Sequence, residues 1–291
     1  MMKVLGFGEV LWDEIEGKRY IGGASFNFTA HTRKLGADSY LFSAVGNDVI
    51  GKKTLDIVKE KDVKADFIKI VSKPTCVVKV LLNENGLPRY TFPELVSWDY
   101  IEIDESDITC INKLNFDYFY FGTLAQRSDT SFKTLKTMFN RCRFKSIFFD
   151  INLRFTYYSK DKIEYALEKC NILKISDEEV KKINKLLKFN VSEYKKLASI
   201  LLKEFDIEII CITAGENGAY ISNKKDFIYC PGYKIVVKDT IGSGDAFSAA
   251  LITQLYKGVD IKNSCDFANK IGAIVASLDG AIPDYSIKDY F

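Results

Sequence analysis

Asp239-Thr240-Ile241-Gly242-Ser243-Gly244-Asp245 (DTIGSGD) is the stretch whose reading decides the fold. It follows a β-like run, Tyr233 to Val237 (YKIVV), and precedes a helix-like run, Ala246 to Lys257, closed by Gly258. Strand, glycine-rich turn and helix is a geometry for holding an anion. The glycines let backbone N–H groups converge, and the positive end of the helix dipole faces the same point. Asp245 stands at the mouth of this turn, where a carboxylate would repel a resting phosphate. It fits instead a group that takes a proton from a hydroxyl as that hydroxyl attacks the phosphate.

Outward from this turn, strand-like and helix-like runs alternate, the pattern of a mostly parallel sheet covered by helices in an α/β fold. Candidate strands are Lys3 to Phe7, Tyr40 to Val45, Tyr118 to Phe121, Ser146 to Asp150, Ile172 to Ile175 and Glu208 to Thr213. Candidate helices are Ser25 to Leu35, Ile50 to Glu60, Thr130 to Arg141, Glu178 to Leu187, Val191 to Phe205, Ala246 to Lys257 and Ile261 to Leu278. Two stretches break the alternation. Leu11 to Gly22 and Thr75 to Phe92 read as β without helices between, the second with a turn at Asn85-Gly86, and are expected to form a small lid over a cleft. The 291 residues are then one domain carrying lid segments at about 11–22 and 75–100.

Composition prunes the alternatives. A net charge of +2 implies no strong field for nucleic acid or a membrane surface. No apolar stretch approaches the ~18 residues of a membrane span, and the short run Val4 to Phe7 followed by Glu9 fits no signal peptide, so a cytoplasmic protein is expected. Seven scattered cysteines without a CxxC pair argue against a disulfide framework or a zinc site. The single histidine, His31, rules out a two- or three-histidine metal site, and no GxSxG elbow accompanies it. Acid–base chemistry therefore falls mainly to carboxylates.

Two glycine motifs are decoys. Gly46 to Lys53 nearly matches GxxxxGK[ST], but Lys53 replaces the hydroxyl and Asp48 would put negative charge in the cradle, so a strand-to-helix turn is the simpler reading. Gly242-Ser243-Gly244 and Gly6-Phe7-Gly8 both lack the third glycine of GxGxxG. Two further turns are informative: Gly22-Gly23-Ala24-Ser25-Phe26-Asn27 before a helix, and Thr213 to Gly218 (TAGENG) at a strand end. Each has a plain structural reading alone, a capped helix start and a hairpin turn.

Together, and in this order, the three turns resemble the PfkB family of carbohydrate kinases: DTIGSGD is similar to its DTxGAGD signature, GGASFN to GGxxxN, and TAGENG to TxGxxG. The resemblance runs along nearly the whole chain. It implies a ribokinase-like three-layer α/β/α fold with a small β lid. The segments GEVLWDEI, FGTLAQRS, DINLR and DGAIP look most like bacterial fructokinases. The resemblance implies Asp245 as catalytic base, with an anion hole from the backbone of Gly242, Ser243 and Gly244. It places Asp13, Gly23 and Asn27 on sugar hydroxyls, with Gln126, Arg127 and Arg154 reaching the substrate. Nucleotide contacts are implied for Thr213, Gly215, Gly218 and Asn269. Ser176 and Glu179 match the family's NxxE, which helps to position Mg²⁺ and phosphate, with Ser176 departing from the usual Asn. Asp239 and Ile241, with backbone from Val275, Leu278 and Gly280, would line a monovalent cation (K⁺) site. The implied activity is ATP-dependent phosphorylation of a sugar, fructose foremost, in a homodimer paired through the lid. Ribose, 2-keto-3-deoxygluconate or a nucleoside remain alternative acceptors, as does a non-catalytic sugar-binding regulator.

Overall fold

The computed structural model describes residues 1–82 and 88–286. Among them, β1 (Lys3–Phe7), β2 (Leu11–Ile15), β3 (Lys18–Gly22), β4 (Asp38–Gly46), β5 (Lys64–Val71), β6 (Val77–Leu82), β7 (Pro88–Thr91), β8 (Tyr118–Phe121), β9 (Ser146–Asp150), β10 (Ile172–Ser176), β11 (Ile209–Thr213), β12 (Ala219–Ser222) and β13 (Phe227–Cys230) make two sheets. The large one has the order β13-β12-β11-β10-β9-β8-β1-β4-β5, parallel from β11 to β5, with β12 and β13 antiparallel at one edge. The small one has the order β3-β2-β6-β7.

The helices are α1 (Ala24–Lys34), α2 (Val49–Glu60), α3 (Glu105–Leu114), α4 (Asp129–Arg141), α5 (Lys160–Leu167), α6 (Asp177–Leu187), α7 (Tyr194–Glu204), α8 (Ser243–Tyr256) and α9 (Ile261–Ala276). A strand covered on both faces reads as a continuous apolar run, and β8 (Tyr118-Phe119-Tyr120-Phe121) is buried at every position. Phe121 stacks on Phe149 of β9 at 4.7 Å between ring centroids, and Phe28 of α1 stacks on Tyr120 at 3.8 Å. Buried aromatic pairs of this kind contribute ~1 kcal/mol each beyond their burial. Their effect here is to hold β8, β9 and α1 in one register, so that the C-terminal ends of the strands open on a common crevice.

After β1 the chain builds β4 and β5 on one side, then returns to place β8, β9, β10 and β11 on the other. The order reverses between β1 and β8, and open α/β sheets bind ligands at such switch points.

Elements with strong apolar periodicity fall where the sequence places them. β5, β12, β13, α3 and α5 go beyond the sequence reading. β5 alternates weakly, with Phe67 its one fully buried position, and α5 spans only eight residues. The run Tyr233 to Val237, β-like by composition, pairs with no strand among the described residues, and Val236 is 85% exposed. Pro231 and Gly232 break the chain after edge strand β13, and Asn269 of α9 caps the Cys230 and Pro231 carbonyls (3.0 and 3.2 Å), leading it off the sheet. The sequence-based lid boundary at about 100 also shifts. Residues 97–100 form a 3₁₀ turn whose Trp98 is fully buried in the main core, and the Asn85-Gly86 turn lies outside the described residues. All seven cysteines are free, as their scatter implies.

The near-miss P-loop is the turn that its missing hydroxyl predicts. Asp48 caps α2, accepting from Gly51 N (2.6 Å), and also takes Thr75 N (2.8 Å) and Thr75 Oγ1 (2.9 Å), tying the helix start to the chain that enters β6. Asp48→Ala should therefore destabilise the protein by about 1–2 kcal/mol in urea unfolding at pH 7. An unchanged midpoint would show that the cap contributes nothing.

Candidate active site

A cleft of about 460 Å³ opens at the switch point, within the usual size of small-molecule sites. It is lined by Glu9, Asp13, Gly23, Asn27, Arg154, Lys174, Gly242, Gly244 and Asp245, together with Phe92 and Phe155 at its mouth. A second depression, of about 480 Å³, lies between α7 and the β12–β13 edge; it is lined by Lys195, Lys203, Lys224 and Lys225 and has no comparable convergence of buried polar groups.

The site begins with two helix N-termini. Gly242, at φ +79°, is the residue before α8, and a Cβ there would lie 2.3 Å from the Ala281 carbonyl oxygen. Only glycine fits that backbone and that approach. The N–H groups of Gly244 and Asp245 meet no acceptor among the described residues, whereas that of Ser243 reaches the Thr240 carbonyl at 3.3 Å. The first turn of α8 thus presents N–H donors at Gly244 and Asp245 that meet no partner among the described residues, the kind of donor that suits an anion. Gly23, at φ +105°, precedes α1, where a Cβ would sit 2.6 Å from the Glu9 carbonyl oxygen. That close packing brings Asn27, in the first turn of α1, onto Asp245.

Asn27 Nδ2 donates to Asp245 Oδ2 at 2.8 Å, joining residues 218 apart in sequence. Its Oδ1 is buried without a partner. Burial pushes the Asp245 carboxyl up to about 7, helped by the negative charge of Asp150; the Asn27 hydrogen bond, Lys174 and Arg154 pull it the other way. Asp13, on β2, is likewise raised by burial, to about 6, with Arg154 opposing and Asp239 adding to the rise. Glu9, buried behind the double glycine, accepts from Ala24 N at 3.2 Å, and burial raises it also. Three carboxyl groups in one partly dry cleft, each shifted upward, mark it as the candidate functional site.

Arg154 lies exposed at the cleft and makes no ion pair among the described residues. Gln126 and Arg127 are not brought to the cleft lining. Gln126 is buried with its amide on the Gly122 carbonyl (2.8 Å). Arg127 is committed to a bidentate pair with Asp99 (2.7 Å for each bond) and is stacked 4.0 Å from the Trp98 ring centroid. Its guanidinium pins the 97–100 turn to the body, a structural use of an arginine that its place after a strand end does not reveal.

Ser176 and Glu179 form a capping box at the start of α6: Ser176 N donates to Glu179 Oε2 (2.8 Å) and Glu179 N to Ser176 Oγ (3.3 Å). Glu179 Oε1 takes Leu153 N at 2.6 Å, which fixes the loop carrying Arg154. With both carboxylate oxygens held by backbone donors, Glu179 suits indirect positioning better than direct metal ligation. The described residues contain no cluster of three or more His, Cys, Asp or Glu side chains able to hold a metal. Thr213, Gly215 and Gly218 shape the β11–β12 turn, with Ala214 N on the Gly218 carbonyl (2.8 Å), and Asn269 braces the strand end beside it. These four form a second group that does not line the Asp245 cleft. Asp239 accepts from Ile241 N (2.9 Å) and Gly280 N (3.2 Å), so the 239–241 turn is brought beside the Val275, Leu278 and Gly280 backbone.

Lys174 and Asp150 escaped the sequence reading. Lys174 Nζ donates to both oxygens of Asp150 at 2.8 Å, Tyr120 OH donates to the same carboxylate (3.3 Å), and the single Ser248 hydroxyl proton has that carboxylate (3.1 Å) and the Gly244 carbonyl (3.0 Å) as acceptors. Burial pulls the Lys174 ammonium down, but Asp150, Glu179 and Asp245 outweigh it and hold it above the ordinary lysine value. A lysine inside Ile172-Leu173-Lys174-Ile175, an otherwise apolar central strand, was the available signal.

The chain belongs to the pfkB family of carbohydrate kinases, whose profile matches residues 3–288, and its fold is ribokinase-like. Among curated relatives it is 24% identical to the ATP-dependent 6-phosphofructokinase of Thermoanaerobacterium thermosaccharolyticum over 97% of this chain and 90% of that one. It is 24% identical to an Escherichia coli fructokinase over 90% of this chain and 87% of that one. Among solved structures, a fructokinase from Vibrio cholerae O395 in fructose, ADP and calcium ion bound form superposes with a TM-score of 0.81 at 21% identity, over 97% of this chain and 95% of that one. The protein is thus a sugar kinase of the pfkB family.

The Asn27 bond favours charged Asp245. Asn27→Ala should therefore move the Asp245 titration, followed by carboxyl ¹³C NMR, from near 7 to higher pH. A midpoint that stays put or falls would show that the bond does not act on the Asp245 carboxyl.

Proposed function

We propose that the protein transfers the γ-phosphoryl group of ATP to the primary hydroxyl of D-fructose, forming fructose 6-phosphate. The observation that carries this reading is Asp245: a half-buried carboxyl with a raised proton affinity, set among the free N–H groups of the α8 N-terminus and facing Asn27 across the cleft. Asp245 accepts the proton as the hydroxyl oxygen bonds to the γ-phosphorus. The bond from that phosphorus to the β-phosphate oxygen breaks, and its electron pair leaves with ADP. The Gly244 and Asp245 N–H groups face the charge on the phosphoryl oxygens, a kind of contact worth several kcal/mol in the transition state.

The sugar end has its own support. The buried, unpartnered Oδ1 of Asn27 would be satisfied by a ligand hydroxyl, and Asp13 and the Gly23 turn line the same cleft. The fructokinases among the relatives support fructose as the acceptor. ATP would arrive with Mg²⁺, which needs only one or two carboxylates beside the phosphates; bound there, it neutralises phosphate charge. In this reading the Thr213–Gly218 turn and Asn269 serve the nucleotide, the 239–241 turn and the 275–280 backbone hold K⁺, and the β2–β3–β6–β7 sheet closes the cleft as a lid.

Asp245→Asn should lower kcat by about 10³–10⁴-fold while leaving ATP and sugar binding within a few-fold. In the native protein kcat/KM should fall about tenfold per pH unit below 7 and level off above it, because the ionised carboxylate is the active form. A coupled ADP assay with fructose, fructose 6-phosphate, ribose, 2-keto-3-deoxygluconate and adenosine tests the acceptor: a kcat/KM for fructose below that of any other would refute it. The β3 edge, with Tyr20 48% exposed and no outer strand among the described residues, is where a homodimer would pair through the lid. Sedimentation should then give twice the 33.1 kDa chain mass; a monomer at assay concentration would remove the dimer.

A further inference from the structure

Lys174 sits where the sheet meets the anion-binding turn. An ammonium has three N–H donors. Two are spent on Asp150 Oδ1 and Oδ2 at 2.8 Å, and the third meets no acceptor among the described residues. Lys174 Nζ lies 3.6 Å from where a Cβ on Gly244 would stand, and the residue lines the cleft although its side chain is only 9% exposed. The one other cation in the lining, Arg154, is exposed and sits on the loop after β9. Lys174 is therefore the positive charge built into the floor beneath the α8 N-terminus.

Stability does not account for it. A buried Lys–Asp pair loses about as much in desolvation as it gains in attraction, and an apolar residue would serve a central strand at least as well. Asp150, moreover, shares its negative charge between Lys174 and the Tyr120 hydroxyl, so the ammonium beside the cleft is only partly neutralised.

From this geometry we propose that Lys174 is a further catalytic residue: its third N–H donates to an oxygen of the phosphoryl group in transit, from beneath Gly244, while Asp150 holds the ammonium in place. The proposal rests on the kinase reading of the cleft. Lys174 remains protonated throughout; the substrate proton goes to Asp245, and the leaving electron pair goes to ADP.

The test compares Lys174→Met with the double variant Lys174→Met/Asp150→Asn, which leaves no charge stranded in the sheet and so remains informative where the single variant unfolds. Two readouts are taken: kcat with ATP and fructose, and calorimetric affinity for ADP alone against ADP with aluminium fluoride and Mg²⁺, a mimic of the phosphoryl group in flight. Both variants should lose about 100-fold in kcat and a similar factor in affinity for the fluoride complex, with ADP affinity unchanged within about threefold. A double variant that matches the native protein within about threefold in the fluoride titration would make Lys174 a structural counterion and overturn the proposal. The titration does not depend on the acceptor. Native protein inactive with fructose but binding the fluoride complex tightly would refute the fructose assignment, while the variants still decide Lys174.

Discussion

The 2.8 Å hydrogen bond from Asn27 to Asp245 is the contact on which the site depends. It can form only if α1 and α8 aim their N-termini at one point, and that requires α1 to follow the β2–β3 hairpin and α8 to end its approach at Gly242. Each junction is a close backbone contact: Gly23 against the Glu9 carbonyl, Gly242 against the Ala281 carbonyl. Ala281 is in turn held from α1, since His31 Nε2 bonds its carbonyl at 2.9 Å. Burial lowers the His31 imidazole to about 4, so it is neutral at pH 7 and donates from Nε2, leaving Nδ1 to accept from Tyr285 OH at 3.1 Å. One helix therefore carries both the partner of Asp245 and the brace behind the turn at Gly242. The lone histidine, set aside as a catalyst by elimination, is part of that brace.

The electrostatic arrangement follows from burial. Burial is the main cause of the rise at Asp245, Asp13 and Glu9; Asp150 adds to it at Asp245 and Glu9 and Asp239 adds to it at Asp13, while Arg154 opposes it at all three and Lys174 opposes it at Asp245. A carboxyl near 7, as at Asp245, is half-charged in the free protein at neutral pH and would lose little driving force in taking a proton. The same residue in water would titrate near the ordinary aspartate value and accept protons poorly.

Much of the fold and part of the site were legible. β1, β8 and β9 span the residues read from the sequence, because the interior of each is an apolar run buried on both faces of the sheet. Asp245, Gly242, Asn27 and Gly23 were legible because glycine at a helix start and a polar side chain in the first turn are local requirements. Arg127, Gln126 and Tyr233 to Val237 misled for the complementary reason. An arginine after a strand end looks the same whether it meets a ligand or Asp99, and a β-branched run becomes a strand only where a neighbour offers its edge. Lys174 and Asp150 were missed because each, alone, is one charged residue near the end of an apolar strand; their meaning lies in being 2.8 Å apart on adjacent strands and beside Gly244.

By itself the sequence determined the alternation of strands and helices and the glycine turns, and singled out Asp245 at the mouth of one of them, since these rest on backbone conformation and periodicity within a few residues. Only the tertiary structure decided which charges share the cleft. The distance between Asn27 and Asp245, the pairing of Lys174 with Asp150 and of Arg127 with Asp99, and the proton affinity of Asp245 all depend on burial and on contacts between segments far apart in the chain. Electrostatic energy varies with separation and local dielectric, and neither quantity exists until the sheet has closed around these residues.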